Sequence, residues 1–434
     1  MVLNLFVLAA PLLHAPGEYN RSALALTPGS IGVHGMVLPG SVHYHVVHRL
    51  GMNKILKTRL QLRHELEAPP LLRKFGSGWI SGVIGFVLGV AALLLVVAMR
   101  VPGVFSVPQI QSLHQNHWFR LTLFFLLLCA FLASLLSLIL RRHLKKILGL
   151  TGLIITMLAT LIGGTNPAPV VTGSTSFYFG LDFFVLNVLF TGFLFVPLEQ
   201  LFPQNDQTIF RAEYREDLFY YLVSSMLVQI LTFLTFLPAN MLKATLPLAE
   251  VRAWVGALPL VVQFVAIMFL TDLVQYVVHR CFHRYPRLWR FHAVHHSARS
   301  MDWIAGARMH FIEILILRST TVIPMFVLGF HESAINAYVL AVYLSSTFIH
   351  SNVNWRFPWV EQILVTPRFH HWHHGIEKEA IDVNFAVHFT IFDKLFGTHF
   401  LPENRWPAGY GIEGHPVPKG YVKQLKYPFR PAAT

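Results

Sequence analysis

The feature that most constrains this chain is a series of long apolar runs. A helix needs about 20 residues to cross the roughly 30 Å hydrocarbon layer, and a backbone placed there must satisfy its own polar groups, which favours helices. Runs of that order lie at 79–99, 119–140, 147–163, 177–196, 218–238 and 256–278, with two shorter ones at 311–328 and 334–349. Leu, Val and Phe fill them without the alternation of a half-buried strand. The 434 residues are 54% hydrophobic and 13% charged, about half the charged share of a soluble domain. The expected fold is all-α: a polytopic membrane protein of about six to eight transmembrane or re-entrant helices. The two shorter runs read as a hairpin that dips into the membrane without crossing it.

The charges give this arrangement a direction. Arg73 and Lys74 precede the first run; Arg141, Arg142, Lys145 and Lys146 separate the second from the third; Arg211 and Arg215 separate the fourth from the fifth. Arg280, Arg284, Arg287, Arg290, Arg299 and Arg308 follow the sixth, whereas 164–176 holds no Lys or Arg. Every basic loop falls on one side, which the positive-inside rule makes cytoplasmic. Both termini and the histidine-rich region described below would then face the cytoplasm. A net charge of +13 so distributed fits anionic lipid headgroups, and no nucleic-acid partner is expected. The two cysteines, Cys129 and Cys281, support neither a disulfide framework nor a Cys-x-x-Cys zinc site. Met1 to Leu13 is apolar but lacks the basic start of a secretory signal. Residues 1–75 carry no readable role, and the Pro- and Gly-rich tail from Trp406 reads as an irregular surface extension.

Histidine is the outlier, with 24 copies concentrated toward the carboxyl end. His279-Arg-Cys-Phe-His283 continues the sixth run, so residues four apart would share a helical face and reach one metal. His292-Ala-Val-His295-His296 and His370-His371-Trp-His373-His374 both contain His-x-x-His-His. In each, the first and last histidines share a face, and the middle one points about 100° away, toward a second metal. The eight candidates are His279, His283, His292, His295, His296, His370, His373 and His374. Eight imidazoles are twice what one tetrahedral zinc takes and suit two metals with open positions. Imidazole alone does not name the metal. Lone histidines such as His114, His117, His143 and His331 read as ordinary ones. The Glu-x-x-His pairs of soluble di-iron bundles are missing.

The run from about Thr271 to Thr398 resembles the fatty acid hydroxylase and sterol desaturase superfamily. The matching pieces begin with Asp272-Leu273 before His279-x3-His283, then His292-Ala-Val-His295-His296-Ser297 and Arg308-x-His310-x-x-Glu313. They continue with His350-Ser-Asn, Thr366-Pro-Arg-Phe-His370-His371-Trp-His373-His374-Gly, Asp382-x-Asn384 and Asp393-Lys-Leu-Phe-Gly-Thr398. Upstream, Tyr214-Arg215-Glu-Asp217 is similar to family members of bacterial type, which makes a bacterial inner membrane the expected setting. Phe311 stands where relatives usually carry proline. The resemblance implies a non-haem di-iron centre, O2 as co-substrate, and hydroxylation or desaturation of a lipid C–H bond. It adds His350 as a ninth ligand and excludes His371. It divides the chain into 1–75, transmembrane helices over 76–250, a fatty acid hydroxylase-like di-iron domain over 251–405, and the tail 406–434.

No catalytic side chain is expected beyond the ligands, with Asp272, Asp382 and Asn384 as supporting residues. Asp272 and Asp182 lie in apolar runs, where a carboxylate is costly unless partnered. Asp272 is expected to hold a histidine or arginine of another helix; packing is the bland alternative, and the favoured one for Asp182. For Asp382, Asn384 and Asp393, a bond to a ligand imidazole and simple helix capping are equally open. The aromatic segment 385–400 reads as lying in the headgroup layer. There is no dinucleotide fingerprint or haem-binding segment, so an external electron donor of reductase, ferredoxin or cytochrome type is implied. Two other classes compete: a histidine-rich metal transporter, which needs ligands along a path through several spans, and a membrane zinc hydrolase, which needs one metal and a general base.

Overall fold

The structure is a computed structural model that describes residues 54–67, 73, 76–141, 146–169, 178–414 and 416–430. Most of the segment 1–75, together with Lys74, Arg142, His143, Lys145, much of the loop 164–176 and the last four residues of the tail, lies outside the described residues. The described residues are helical, joined by loops and by isolated bridges such as Leu364 with Phe389.

Four helices among the described residues are long and apolar enough to cross a membrane: Trp79–Arg100, His117–Leu140, Leu181–Leu201 and Leu260–Arg284. The pair Tyr214–Met226 and Val228–Thr245, bent by 66°, makes a fifth if it is one broken span. The sequence expectation of six to eight counted more loosely. Ile147–Ile162 is only 16 residues long, and Phe311–Val327 only 17. Glu332–His350 has length but alternates Tyr and Ser with its apolar residues.

The chain divides into two compact units. One comprises the described residues up to Val90 together with Leu127–Met157. Its helices meet through small residues. A Cβ on Gly85 would come within 2.6 Å of the Ser134 amide nitrogen, and one on Gly152 within 3.0 Å of the Gly85 carbonyl carbon. Such close backbone approach is how helices associate in lipid, where apolar surface alone gives no drive. Trp79 caps this unit by donating its indole N–H to Glu65 O at 2.7 Å.

The other unit holds 91–126 and 158 onward. Its apolar core joins Val228–Thr245, Leu260–Arg284, Phe311–Val327 and Glu332–His350 through Ile267, Val322, Met325 and Tyr338. A second cluster, built on Tyr276, Ile349, Phe369, Phe385 and Phe392, lies beside the histidines. The carboxyl-terminal tail does not behave as a surface extension. Tyr410, Val417 and Gln424 are buried, and Gly420 N–H donates to Glu216 at 2.9 Å. Gly and Pro set the shape of that tail, but its aromatic and amide side chains find buried partners. Segment 385–400 is also divided: Phe385 and Phe392 are interior while Leu395 and Phe396 are exposed.

Candidate metal centre

Two short helical pieces and two helix ends carry the histidines. His279 and His283 end the helix Leu260–Arg284. Pro286 restarts the chain as Pro286–His296, and Pro367 opens Pro367–His373. Proline suits a first helical position because its missing N–H would have had no partner there. His350 closes Glu332–His350.

These elements bring nine rings together in two groups. His279, His283, His292, His296 and His373 form one; His295, His350, His370 and His374 form the other; within each, the ligand-capable atoms all lie within 4.8 Å of one another. The first and last histidines of each His-x-x-His-His face one group and the middle one faces the other. All nine candidates are therefore assembled, and His350 completes the second group. His371 is in neither group. It is buried, its Nδ1 lies 2.8 Å from the Tyr410 hydroxyl, and its ring packs against Trp406.

Most of these rings are aimed by a bond on the far nitrogen. His279 Nδ1–H donates to Phe385 O at 2.8 Å, His373 Nδ1–H to Val383 O at 2.7 Å, His295 Nδ1–H to Arg308 O at 3.1 Å and His350 Nδ1–H to Ser346 O at 2.7 Å. His292 Nδ1 meets the Glu313 carboxylate at 2.5 Å, and His283 Nδ1 meets Asp382 at 3.1 Å. A carbonyl acceptor fixes the proton on Nδ1 and leaves Nε2 as a bare lone pair. Yet Nε2 atoms face each other, His279 to His292 at 2.9 Å and His370 to His350 at 3.1 Å. Burial pushes the rings of His292, His295, His296, His370, His373 and His374 well below the ordinary imidazole range, so they stay neutral. Converging neutral lone pairs repel unless a cation lies among them. The buried Nε2 of His283 and of His373 have no hydrogen-bond partner. The donor set fits divalent metal ions.

The supporting residues fall differently from the sequence expectation. Asp382 does reach a ring, that of His283. Asp272 holds neither histidine nor arginine. It accepts the backbone N–H groups of Val387, His388 and Phe389 at 2.8, 3.1 and 2.6 Å. A carboxylate in an apolar helix can be satisfied by the unpaired amides of an adjoining loop as well as by a cation. Asp393 takes the next two, Phe385 N–H and Ala386 N–H, at 2.8 and 2.9 Å. The same loop presents the carbonyl that aims His279, so Asp272 and Asp393 act on the centre through backbone. Asn384 binds Phe369 O and Phe400 O rather than a ring. Asp382 and Asn384 both have left-handed backbone, φ 60° and 58°, a conformation Asp and Asn tolerate best after glycine. Asp182 sits with Ser106 and His114, 3.0 Å from the latter's Nε2, away from both histidine groups. Glu313 was missed as a site residue. Its signal was its place in the piece Arg308-x-His310-x-x-Glu313, as a lone carboxylate opening an apolar run.

A helical membrane scaffold carrying two groups of inward-facing imidazoles defines the class of protein. Residues 264–398 match the fatty acid hydroxylase family model, in agreement with the resemblance that the histidine boxes carry. The chain is 32% identical to the ornithine lipid hydroxylase OlsE of Rhizobium tropici over 182 residues, 41% of this chain and 53% of that protein. It is 31% identical to human alkylglycerol monooxygenase over 34% of this chain and 32% of the relative. With mouse cholesterol 25-hydroxylase the figures are 32% identity, 30% of this chain and 44% of the relative. The matches thus span about half or less of these relatives' lengths. No solved structure matches the chain.

Proposed function

We propose that this protein is a membrane-bound non-haem di-iron oxygenase that hydroxylates or desaturates a lipid, using O2 and electrons from an external donor. The carrying observation is the division of nine imidazoles, all buried except the half-buried His283, into groups of five and four. Relatives named for hydroxylating ornithine lipid and cholesterol, and for oxygenating alkylglycerol, support a lipid substrate. When bound, a pair of iron ions would supply the oxygen activation needed to break an unactivated C–H bond.

The chain's own contribution is orientation and exclusion. Carbonyls and carboxylates behind six of the rings hold the Nδ1–H, fix the tautomer and raise the basicity of Nε2. The apolar helices leading to His279 and His350 would line a slot for an acyl, alkyl or sterol chain. The basic loops favour a cytoplasmic position for the centre in a bacterial inner membrane. The histidines cluster off helix ends rather than along a path through several spans, which argues against a transporter. A hydrolase would use one metal and leave the second group without purpose.

The test has two arms. Purified protein should hold about two iron ions per chain, since one site takes about four imidazoles. Lipid mass spectrometry of cells with and without the protein should reveal a species that gains one oxygen or loses two hydrogens when it is present. Fully active protein holding a single zinc would overturn the proposal.

A further inference from the structure

We propose that three side chains upstream of the family match, Glu199, Arg211 and Asp217, are positioning residues for the four-histidine group. This rests on the reading of that group as one of two metal sites.

The link is the loop 302–308. Its Arg308 carbonyl accepts His295 Nδ1–H at 3.1 Å. Its Gly306 lies flat against His350, so close that a Cβ there would meet the ring Nδ1 at 2.8 Å and Cγ at 3.0 Å. Two of the four rings are therefore set by where this loop sits. Within the loop, Asp302 accepts Ile304 N–H and Ala305 N–H at 3.2 and 3.0 Å, shaping the turn Ala305–Ala307.

The upstream residues fix the loop at three points. Arg211 grips Asp302 with two bonds, at 2.7 and 2.6 Å, and holds Asp217 at 2.6 Å. The other oxygen of Asp217 receives the Arg308 guanidinium. One oxygen of Glu199 accepts Trp303 N–H at 2.7 Å and Asn352 N–H at 3.0 Å, tying the loop to the residues just past His350. All three upstream side chains are buried, so no water replaces a lost partner, and a broken buried ion pair leaves an uncompensated charge. None of these contacts reaches a histidine ring. The five-histidine group is aimed by a separate set: Phe385 O, Val383 O, Asp382 and Glu313. The hydrogen bonds that aim the two groups are thus separate, although both groups draw on the same short helices, and a metal site tolerates only about 0.5 Å of misplacement.

The experiment measures iron per chain and the Mössbauer spectrum of iron-loaded, detergent-purified full-length protein. Wild type is compared with Asp217→Asn, whose amide would face one of the two guanidiniums, and with Gly306→Ala, which disturbs His350 without touching the ion network. Each variant is expected to retain about half the wild-type iron, with the spectrum of a coupled pair replaced by that of a lone ion. A purely structural role would lower folded yield and leave iron per folded chain unchanged. Two irons and a wild-type spectrum in both variants would overturn the inference, as would loss of both irons together from folded protein. If Asp217→Asn fails to fold, Glu199→Gln, which alters only the acceptor of the Trp303 and Asn352 N–H groups, is measured in its place under the same criteria. Wild type holding fewer than two metals refutes the di-iron reading itself, and the inference with it, without reference to any variant.

Discussion

His371 and His373 stand two positions apart on one short helix and have opposite surroundings. His373 belongs to the five-histidine group, while His371 turns to Tyr410 and Trp406. His373→Ala should reduce turnover by at least about 100-fold, given that even residues behind a ligand cost 10–100-fold. His371→Ala should keep most of its activity per folded molecule and lose about 1–3 kcal/mol of stability from a vacated buried site. Comparable loss of turnover at both positions would mean that the box faces the metals in another register. The burial of these rings has a consequence for pH. Burial lowers His371 to about 3 and six ring neighbours well below the usual imidazole value near 6.5. Above pH 6.5 folded and unfolded chains are both neutral at these positions. Below it, the unfolded chain takes up protons that the folded chain refuses, each such histidine costing up to about 1.4 kcal/mol per pH unit. Melting of metal-free protein at pH 7.5, 6 and 5 should therefore show a steep fall from about 6.5 downward. A flat melting temperature across that range would show the rings to be solvated.

At the scale of elements, different helices are held by different forces. Where Trp79–Arg100, His117–Leu140 and Ile147–Ile162 meet, glycine and serine replace side-chain packing. Gly85 faces Ser134, whose amide nitrogen and Cα lie 2.6 and 2.9 Å from a hypothetical Cβ. Gly85→Val should push these helices apart and cost about 1–3 kcal/mol, the usual penalty of overpacking. Unfolding in a graded detergent–denaturant series would detect it. Unchanged stability would mean that the backbones are free to separate. Around the metal centre the elements are too short to hold themselves. Pro367–His373 is seven residues long, and the adjoining loop holds it through Val383 O, which accepts His373 Nδ1–H, and through the Asn384 amide, which donates to Phe369 O.

For the whole molecule, the basic loops predict which side the histidines face. A cysteine introduced near Arg299, on the loop beside the second histidine box, should react with an impermeant thiol reagent only after the membrane is opened. One introduced within 164–176 should react in intact cells. The opposite pattern would overturn the cytoplasmic placement drawn from the Arg and Lys distribution.

Much of this protein was legible along the chain because its determinants are local. Apolar run length marks the membrane helices, and the 100° step per residue sorts each histidine box into two faces before any fold is known. The motif order from Asp272 to Thr398 likewise carried the family resemblance and, with it, His350. What only the tertiary structure decided depends on contacts between residues far apart in sequence. Asp272 reaches amides 115 to 117 positions away, and no periodicity within its own helix announces a loop as its partner. Arg211 meets Asp302 across 91 residues. Ion pairs of that kind leave no spacing signature, because a folded chain is free to pair any two charges that its backbone brings together.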